Sequence, residues 1–521
     1  MHPCLQISEI LTLICFEVYG SGDRKDKSDA LSLVKTCRTF KEPALEVLWS
    51  RLGSILPLLM LLPGDLWTIT RAPASGREKR PTFIFKRYPE SADWLLFDKF
   101  ATYVRVIGEF VAKWTMEPPQ TVIDLEVYHL LEGRQNLLPN SQTVIFDSHV
   151  PYGRLYISAR TRALEVLIHS EHFDSGMNIC SLFGYASSAA CFITHLSVGI
   201  SGRRLGFGSG AILTDMENSL SRLICELRNL EVLKVASQLR LTHEAVGHIL
   251  SLPNLRALNF SVPILQAMKD EIDISGYSRL LELRLHCNEL GAPCFPELIT
   301  SLNPFRLEEI KFTATNGRMS ASDFHAVHAA LRQKCSHEAL KSIELSLTNS
   351  IHENTAQHTS SFEVLEPLLS FHNLTWISIT GVSFNDLTDS DVERLAVSWP
   401  SLQYLNLDSH TGPLQLDSSR SLTALLSFAT HCQQLKRLKL QIHAKYDGDY
   451  PRDLEGHSQI QLGAIDAASS PIDDPNFVAS FLRKLFPKLM IVQSSTSDRQ
   501  MTHKWGIVND FLRNTLNTMT I

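Results

Sequence analysis

Leu255-Arg-Ala-Leu258-Asn-Phe260, Leu280-Leu-Glu-Leu283-Arg-Leu285, Leu307-Glu-Glu-Ile310-Lys-Phe312 and Leu340-Lys-Ser-Ile343-Glu-Leu345 are four consecutive copies of one apolar pattern. A further copy precedes them, Leu230-x-x-Leu233-x-Val235. Three follow: Leu374-x-x-Ile377-x-Ile379, Leu402-x-x-Leu405-x-Leu407 and Leu435-x-x-Leu438-x-Leu440. The first positions lie roughly 25 to 34 residues apart, a period that marks a repeat array. Within each copy the last two apolar residues are two apart, as in a strand with one buried face. Helix-like spacing fills the intervals, as in Phe324-x-x-Val327-x-x-x-Leu331 and Val392-x-x-Leu395-Ala396. One strand and one helix cannot bury their own apolar faces, whereas stacked copies can.

The pattern therefore predicts an α/β leucine-rich-repeat solenoid, with a parallel sheet on its concave face and helices outside. Outward from the firm copies the register loosens. Val144-Ile-Phe146, Leu164-x-x-Leu167 and Ile193-x-x-Leu196-x-Val198 read as degenerate first repeats, so the solenoid is expected over 101–521 and regular from about 223. The stretch 442–475, rich in Asp, Gly, His, Ser and Pro, reads as an insertion in a late repeat. After it come a helix over Phe477–Phe486 and a strand at Leu489-x-x-Val492, and Trp505, Val508, Phe511 and Leu512 offer a closing apolar face.

Composition bounds the function. Of 521 residues 44% are hydrophobic and 20% charged, with a net charge of −6, so no basic field marks nucleic acid or a membrane surface as the partner. The longest strongly apolar run, Ile55–Leu62, contains Pro57 and is far shorter than the roughly 20 residues that span a bilayer. Glu9 and Glu17 interrupt the N-terminal apolar run, which argues against a secretory signal. The ten cysteines are scattered without metal-finger spacing, as expected of reduced, structural thiols in the cytoplasm or nucleus.

No motif carries catalysis. His243-Glu244-x-x-x-His248 is one residue too long for a zinc-protease helix, because five residues turn the two imidazoles about 140° apart. It reads as a repeat helix capped by Thr242. Gly206-Phe-Gly208-Ser-Gly210 has neither dinucleotide spacing nor a P-loop lysine, and Cys287 and Cys294 beside His286 are too loosely spaced for structural zinc. The chain is expected to be no enzyme and to need no cofactor or metal.

Residues 1–50 read as three short helices. Ser8 caps a first helix with Ile10, Leu11, Ile14, Cys15 and Val18; a second runs from about Asp29 to Phe40; Pro43 opens a third in the first-turn position. Gly20–Asp29 between the first two reads as a loop. Residues 51–100 read as a helical linker with a flexible, basic loop near 68–81. Three short helices carry more apolar surface than they need for one another. Leu5-Gln-Ile-Ser-Glu-Ile-Leu11, Leu31-Ser-Leu-Val34, Cys37-Arg38-x-Phe40 and Leu48-Trp49 resemble an F-box. With the repeats behind it, and with Gly463-Ala-Ile-Asp466, Ser470-Pro-Ile-Asp-Asp-Pro475 and Phe481-Leu-x-x-Leu-Phe-Pro487 near the end, the chain is similar to F-box, leucine-rich-repeat proteins of mushroom-forming fungi.

That resemblance implies a substrate-recruiting subunit of an SCF-type cullin–RING ubiquitin ligase. Its F-box-like unit would hold a Skp-type adaptor through Ile7, Ile10, Leu11, Ile14, Leu31, Val34 and Trp49, with Ile7 in the apolar role usually filled by proline. The repeats would hold a target protein. The middle strand positions run Lys234, Asn259, Arg284, Lys311, Glu344, Ser378, Asn406 and Lys439, mixed signs that suit a protein surface rather than a phosphate track. Trp376 and Tyr404 take equivalent places in neighbouring strands. With Ser378, Asn406, Asp408, Arg437 and Lys439 they make the candidate target surface, or else a cross-strand stack that only stabilises the sheet. The alternative function is a repeat-only interaction scaffold capped by its first fifty residues.

Overall fold

The computed structural model describes residues 7–19, 24–71, 81–108, 121–148, 152–169, 176–189, 192–201, 210–261, 279–287, 294–301, 306–315, 321–348, 361–382, 384, 386–407, 420–444, 457–494 and 498–519. The chain divides into two compact units, Met1–Ile249 and Leu250–Ile521.

The first unit begins with helices Ser8–Tyr19, Arg24–Thr36 and Arg38–Ser50. Cys15, Ala30, Ala44 and Val47 form their shared core, with Leu33, Val34, Phe40 and Leu48 packed around it. Two boundaries differ from the sequence reading. The second helix starts at Arg24, inside the stretch expected to be a loop, and ends at Thr36. Cys37 adopts extended backbone (φ −157°, ψ 167°) and serves as the N-cap of the third helix, so Pro43 lies inside that helix rather than opening it.

From Ser50 the chain passes directly into a parallel sheet. Arg51–Leu52 pairs with Val106–Ile107, and Thr143–Asp147, Ala163–His169, His195–Ser201 and Val232–Val235 follow in sequence order. The inward row Val144, Leu164, Leu196 and Leu233 is in register across four strands, so these early repeats are regular in structure although ragged in sequence. At the end of Val106–Ile107, Gly108 takes φ 97°, and a Cβ there would overlap the Ile145 carbonyl.

The expected helical linker is only partly helical, with short helices at Leu56–Leu59 and Leu95–Ala101. Between them Trp67–Arg71 and Pro81–Phe85 pair antiparallel, and Val122–Ile123 adds a third strand beside Pro81–Phe85. The two ends of what composition marks as a loop, Thr68 to Arg71 and Pro81, are thus strand residues, as the β-branched Thr68, Ile69 and Thr70 favour. The ring of Trp67 stacks on Phe83 at 5.3 Å. Residues 72–80 lie outside the described residues.

The second unit contains nine parallel strands among its described residues: Ala257–Ser261, Glu282–Cys287, Glu309–Thr315, Ser342–Thr348, Trp376–Thr380, Tyr404–Asn406, Arg437–Lys439, Ala464–Asp466 and Ile491–Gln493. Leu258, Leu283, Ile310, Ile343, Ile377, Leu405, Leu438, Ile465 and Val492 face one another along this sheet, and each is at least 98% buried. Helices cover that face: Phe295, on the helix Cys294–Ser301, stacks on the inward Phe312 at 4.5 Å. The structure is therefore α/β and solenoid-like, as the repeat period requires.

The interval 442–475 is not wholly an insertion, because Ala464–Asp466 within it pairs in register with Arg437–Lys439 and Ile491–Gln493. The last strand is closed by the helix Arg499–Met519. Asn509 receives the Val492 N–H at 2.7 Å and donates to its carbonyl at 2.6 Å, as a neighbouring strand would. A sheet edge blunted in this way resists pairing with another chain.

Side chains also lock one repeat to the next. The Asp389 carboxylate, at the start of helix Asp389–Ser398, accepts from the Ser421 N–H at 2.8 Å and from the Ser421 and Thr423 hydroxyls at 2.6 Å. Those groups open the next repeat's helix, Thr423–His431. Buried Gln459 donates to the Leu435 carbonyl and accepts from the Leu462 N–H, both at 2.8 Å, so it satisfies backbone groups that no strand reaches.

Candidate protein-interaction surfaces

The N-terminal helices expose apolar residues for a simple geometric reason. Their shared core is built from small side chains, and Leu11 and Cys15, one turn apart, take the inward face of the first helix. Leu13 and Phe16 on that helix are then left 64% and 45% exposed. Ile7 and Val18 are exposed near its two ends, and Leu31 is exposed on the second helix.

The expected adaptor-contact residues are placed unequally. Ile7 and Leu31 are accessible, Ile10 and Ile14 are half-buried, and Val34 packs against the helical core. Leu11 is 2% exposed and faces inward, so it positions the helix rather than offering a contact. Trp49 is half-buried, its ring 4.7 Å from that of Phe100. Leu13 and Phe16 escape a reading based on one apolar stripe, because they lie off the Ile10, Leu11, Ile14 and Cys15 face. The signal that could find them is that the helix is apolar on more than one side.

The second surface is the sheet face turned away from the helices in the second unit. Strand register places Ser342, Trp376, Tyr404 and Arg437 in one row across four strands. The rings of Trp376 and Tyr404 stack at 3.8 Å and 13°, and Trp376 is 41% exposed. One position along each strand pair, Asn406 donates to the Ser378 hydroxyl at 3.1 Å, and both residues are buried. They therefore set the floor beside the rings rather than project from it. Lys439 is paired with Asp466 at 3.2 Å. Arg437 is exposed, and Asp408 lies outside the described residues.

Farther along the same face the charges neutralise one another. Arg284 and Lys311 sit directly opposite on neighbouring strands, a placement that would be repulsive alone. Glu309 holds Arg284 at 2.7 Å and Glu344 holds Lys311 at 2.7 Å. Burial and the neighbouring Lys311 and Arg284 hold His286 below the ordinary imidazole range, which favours its neutral form. This part of the face offers paired ions and no sustained positive stripe.

His243–Ser251 is a helix whose Ala245 N–H donates to the Thr242 hydroxyl at 3.3 Å. Of the glycine-rich run, Gly210 is the first residue of helix Gly210–Glu226 and the rest lies outside the described residues. Among the described residues no group of three His, Cys, Asp or Glu side chains could hold a metal ion. Cys15, Cys37, Cys180, Cys225, Cys335 and Cys432 are free thiols, and burial pushes Cys335 and Cys432 up to about 12. Among the described residues no helix is long and apolar enough to cross a membrane. No family model matches the chain, and no curated protein matches it.

Proposed function

We propose that the chain is a substrate-recruiting subunit of an SCF-type cullin–RING ubiquitin ligase, its N-terminal helices holding a Skp-type adaptor and its repeats holding a target protein. The observation that carries this reading is the set of exposed apolar side chains on the N-terminal helices, Ile7, Leu13, Phe16 and Leu31. A surface helix normally turns such residues inward, so an outward set calls for a covering partner. The F-box resemblance, whose motifs include Ile7 and Leu31 of this set, supplies the kind of partner. Recruitment would act by proximity: a target held beside the conjugating machinery reacts at a raised effective concentration. No side chain of this subunit needs to take part in the transfer, and the cytoplasm or nucleus is the setting it requires.

Co-purification of the full chain with a Skp-type adaptor tests the reading. The pair Leu13→Asp and Phe16→Asp should abolish capture, because each places a charge in an apolar contact. Undiminished capture by that variant would overturn the adaptor assignment.

A second reading, a repeat scaffold in which the helices serve only as a cap, has its own support. The third helix leads directly into the sheet, and Tyr103 donates to Glu42 at 2.7 Å while Arg105 contacts Glu46 at 3.2 Å. That packing holds the inner side of the helical unit and leaves Leu13 and Phe16 uncovered. A chain that captures no adaptor yet still binds a target would establish the scaffold.

A further inference from the structure

We propose that the aromatic pair in the second unit receives an extended, acidic segment of the target protein. A flat apolar side chain of that segment stacks on Trp376 above Ser342, and a carboxylate about four residues along it meets Arg437. This deepens the recruiting function and rests on the repeats being its target-binding part.

Three observations set the chemistry. The first is the asymmetry of the stack. Strand order puts Tyr404 on one side of Trp376 and Ser342 on the other. Tyr404 covers one face of the indole at 3.8 Å, whereas serine is too short to cover the opposite face, and Trp376 remains 41% exposed. Neighbouring strands lie about 4.8 Å apart. Removing a large side chain from one position in such a row leaves a slot into which a ring can slide.

The second observation is the far wall of that slot. Beyond Ser342 the row continues to Glu309, whose carboxylate is held by Arg284 at 2.7 Å. On the same strand as Ser342, Glu344 is held by Lys311 at 2.7 Å. The acids near the slot are thus already neutralised by cations. An incoming guanidinium or ammonium would meet Glu309 and Glu344 already holding cations and would approach Arg284 and Lys311, while Glu282, in register beyond Glu309, lies two strand steps from Ser342. A neutral ring, aromatic or proline, suits this wall.

The third is the opposite end of the row. Arg437 follows Tyr404 in register, is exposed, and has no ion-pair partner among the described residues. Its neighbour one row over, Lys439, is satisfied by Asp466. A guanidinium beside an aromatic platform favours a carboxylate, with which it can form two parallel hydrogen bonds. From the slot above Ser342 to Arg437 is three strand steps, about 14 Å, which an extended chain rising about 3.3 Å per residue covers in about four residues. The partner so defined is a flat apolar residue followed or preceded at that distance by Asp or Glu.

Panning a phage-displayed random-peptide library against the purified full chain tests this. Selected sequences should pair an aromatic residue or proline with an acid about four positions away. Trp376→Ala with Tyr404→Ala should weaken the best selected peptide by tenfold or more. Arg437→Glu should weaken it similarly, and exchanging the peptide's acid for lysine should restore binding to that variant and not to the parent. Selection of basic or charge-indifferent peptides, no selection at all, or a charge exchange without effect would overturn the proposal. Adaptor capture measured on Arg437→Glu separates this from the ligase reading. Capture retained without any selected motif removes only the peptide site, whereas a selected motif without capture removes only the ligase role.

Discussion

The three N-terminal helices and the nine-stranded sheet of the second unit place their apolar residues in opposite ways. Along the sheet, every apolar position of the repeat points to the helices: Leu258, Ile343 and Leu405 are each at least 98% buried. The outward positions include paired ions, the exposed Arg437 and the Trp376–Tyr404 stack. In the helical unit small residues form the core, and large ones such as Leu13 and Phe16 lie outside it. A side chain's hydrophobicity therefore carries different information in the two regions. In the sheet it reports folding, because each repeat must bury its face on the next. In the helices part of it is left exposed, outside the core that the three helices share.

The largest expected effect lies in the sheet core. Leu405→Asp puts a carboxylate in a row that continues through neighbouring repeats, at a cost of several kcal/mol. Hydrogen exchange should show lost protection in the strands Trp376–Thr380 and Arg437–Lys439, its register neighbours. Exchange confined to the substituted strand would show that the repeats do not share one core.

A pH titration distinguishes the regions next. His328 is fully buried, its Nδ1 lies 2.6 Å from the Val364 carbonyl, and burial pushes the imidazole down to about 4. Above pH 6.5 it is neutral in both folded and unfolded chains, and its share of stability is fully present. As pH falls from about 6.5 towards 4 the unfolded chain takes up a proton that the folded one refuses, so stability is lost across that window. The full loss is on the order of 3 kcal/mol. His328→Phe should flatten the decline, read as the slope of denaturant stability between pH 6.5 and 5. The helices at 7–50 contain no histidine and should keep their hydrogen-exchange protection over the same range. An unchanged slope in the variant would remove His328 from the account.

These regions were also unequally legible in the sequence. The strand pattern from Leu230 to Leu440 names buried residues correctly because a parallel sheet repeats one constraint at every step. The strand at Ala464–Asp466 follows the same rule, as Leu462-x-x-Ile465-x-Ala467. It was obscured because its final position is alanine and its flanks are rich in Asp, Ser and Pro. The hairpin at Trp67–Phe85 was hidden by the polar, basic residues of its connection, although its arms alternate and branch at Cβ as strands do. At the candidate sites the sequence gives position but not pairing. It aligns Trp376 with Tyr404, yet that Ser378 and Asn406 are buried and bonded to each other, and that Lys439 is held by Asp466, depends on packing that no local pattern contains. Leu11 shows the same limit, since one helix's spacing does not say which of two apolar faces its partners will cover.

A smaller effect sharpens the reading of the stack. Removing both rings with Trp376→Ala and Tyr404→Ala loses the pair's mutual attraction, about 0.5–1.5 kcal/mol beyond the area they bury. A domain of this size should then melt roughly 2–4 °C lower for each kcal/mol. A loss several times larger would mean that the rings belong to the folding core, and the sheet's outward face would cease to differ from its inward one.

The smallest expected change is the most informative about the helices. Leu13→Asp with Phe16→Asp removes two large apolar side chains from positions 64% and 45% exposed. Away from packed features, surface substitutions usually alter stability by less than about 0.5 kcal/mol. The same two charges placed in the sheet core would unfold it, so the contrast lies in the location and not in the chemistry of the substitution. Thermal melting of the isolated full chain should therefore be nearly unchanged, with helical circular dichroism intact. A marked fall in melting temperature would mean that these residues are packed against the protein itself, and the helical unit would then be a cap built like any other repeat. An unchanged melt leaves two apolar side chains on the surface without a structural use, and adaptor capture by the same variant then reads their binding role without interference from folding.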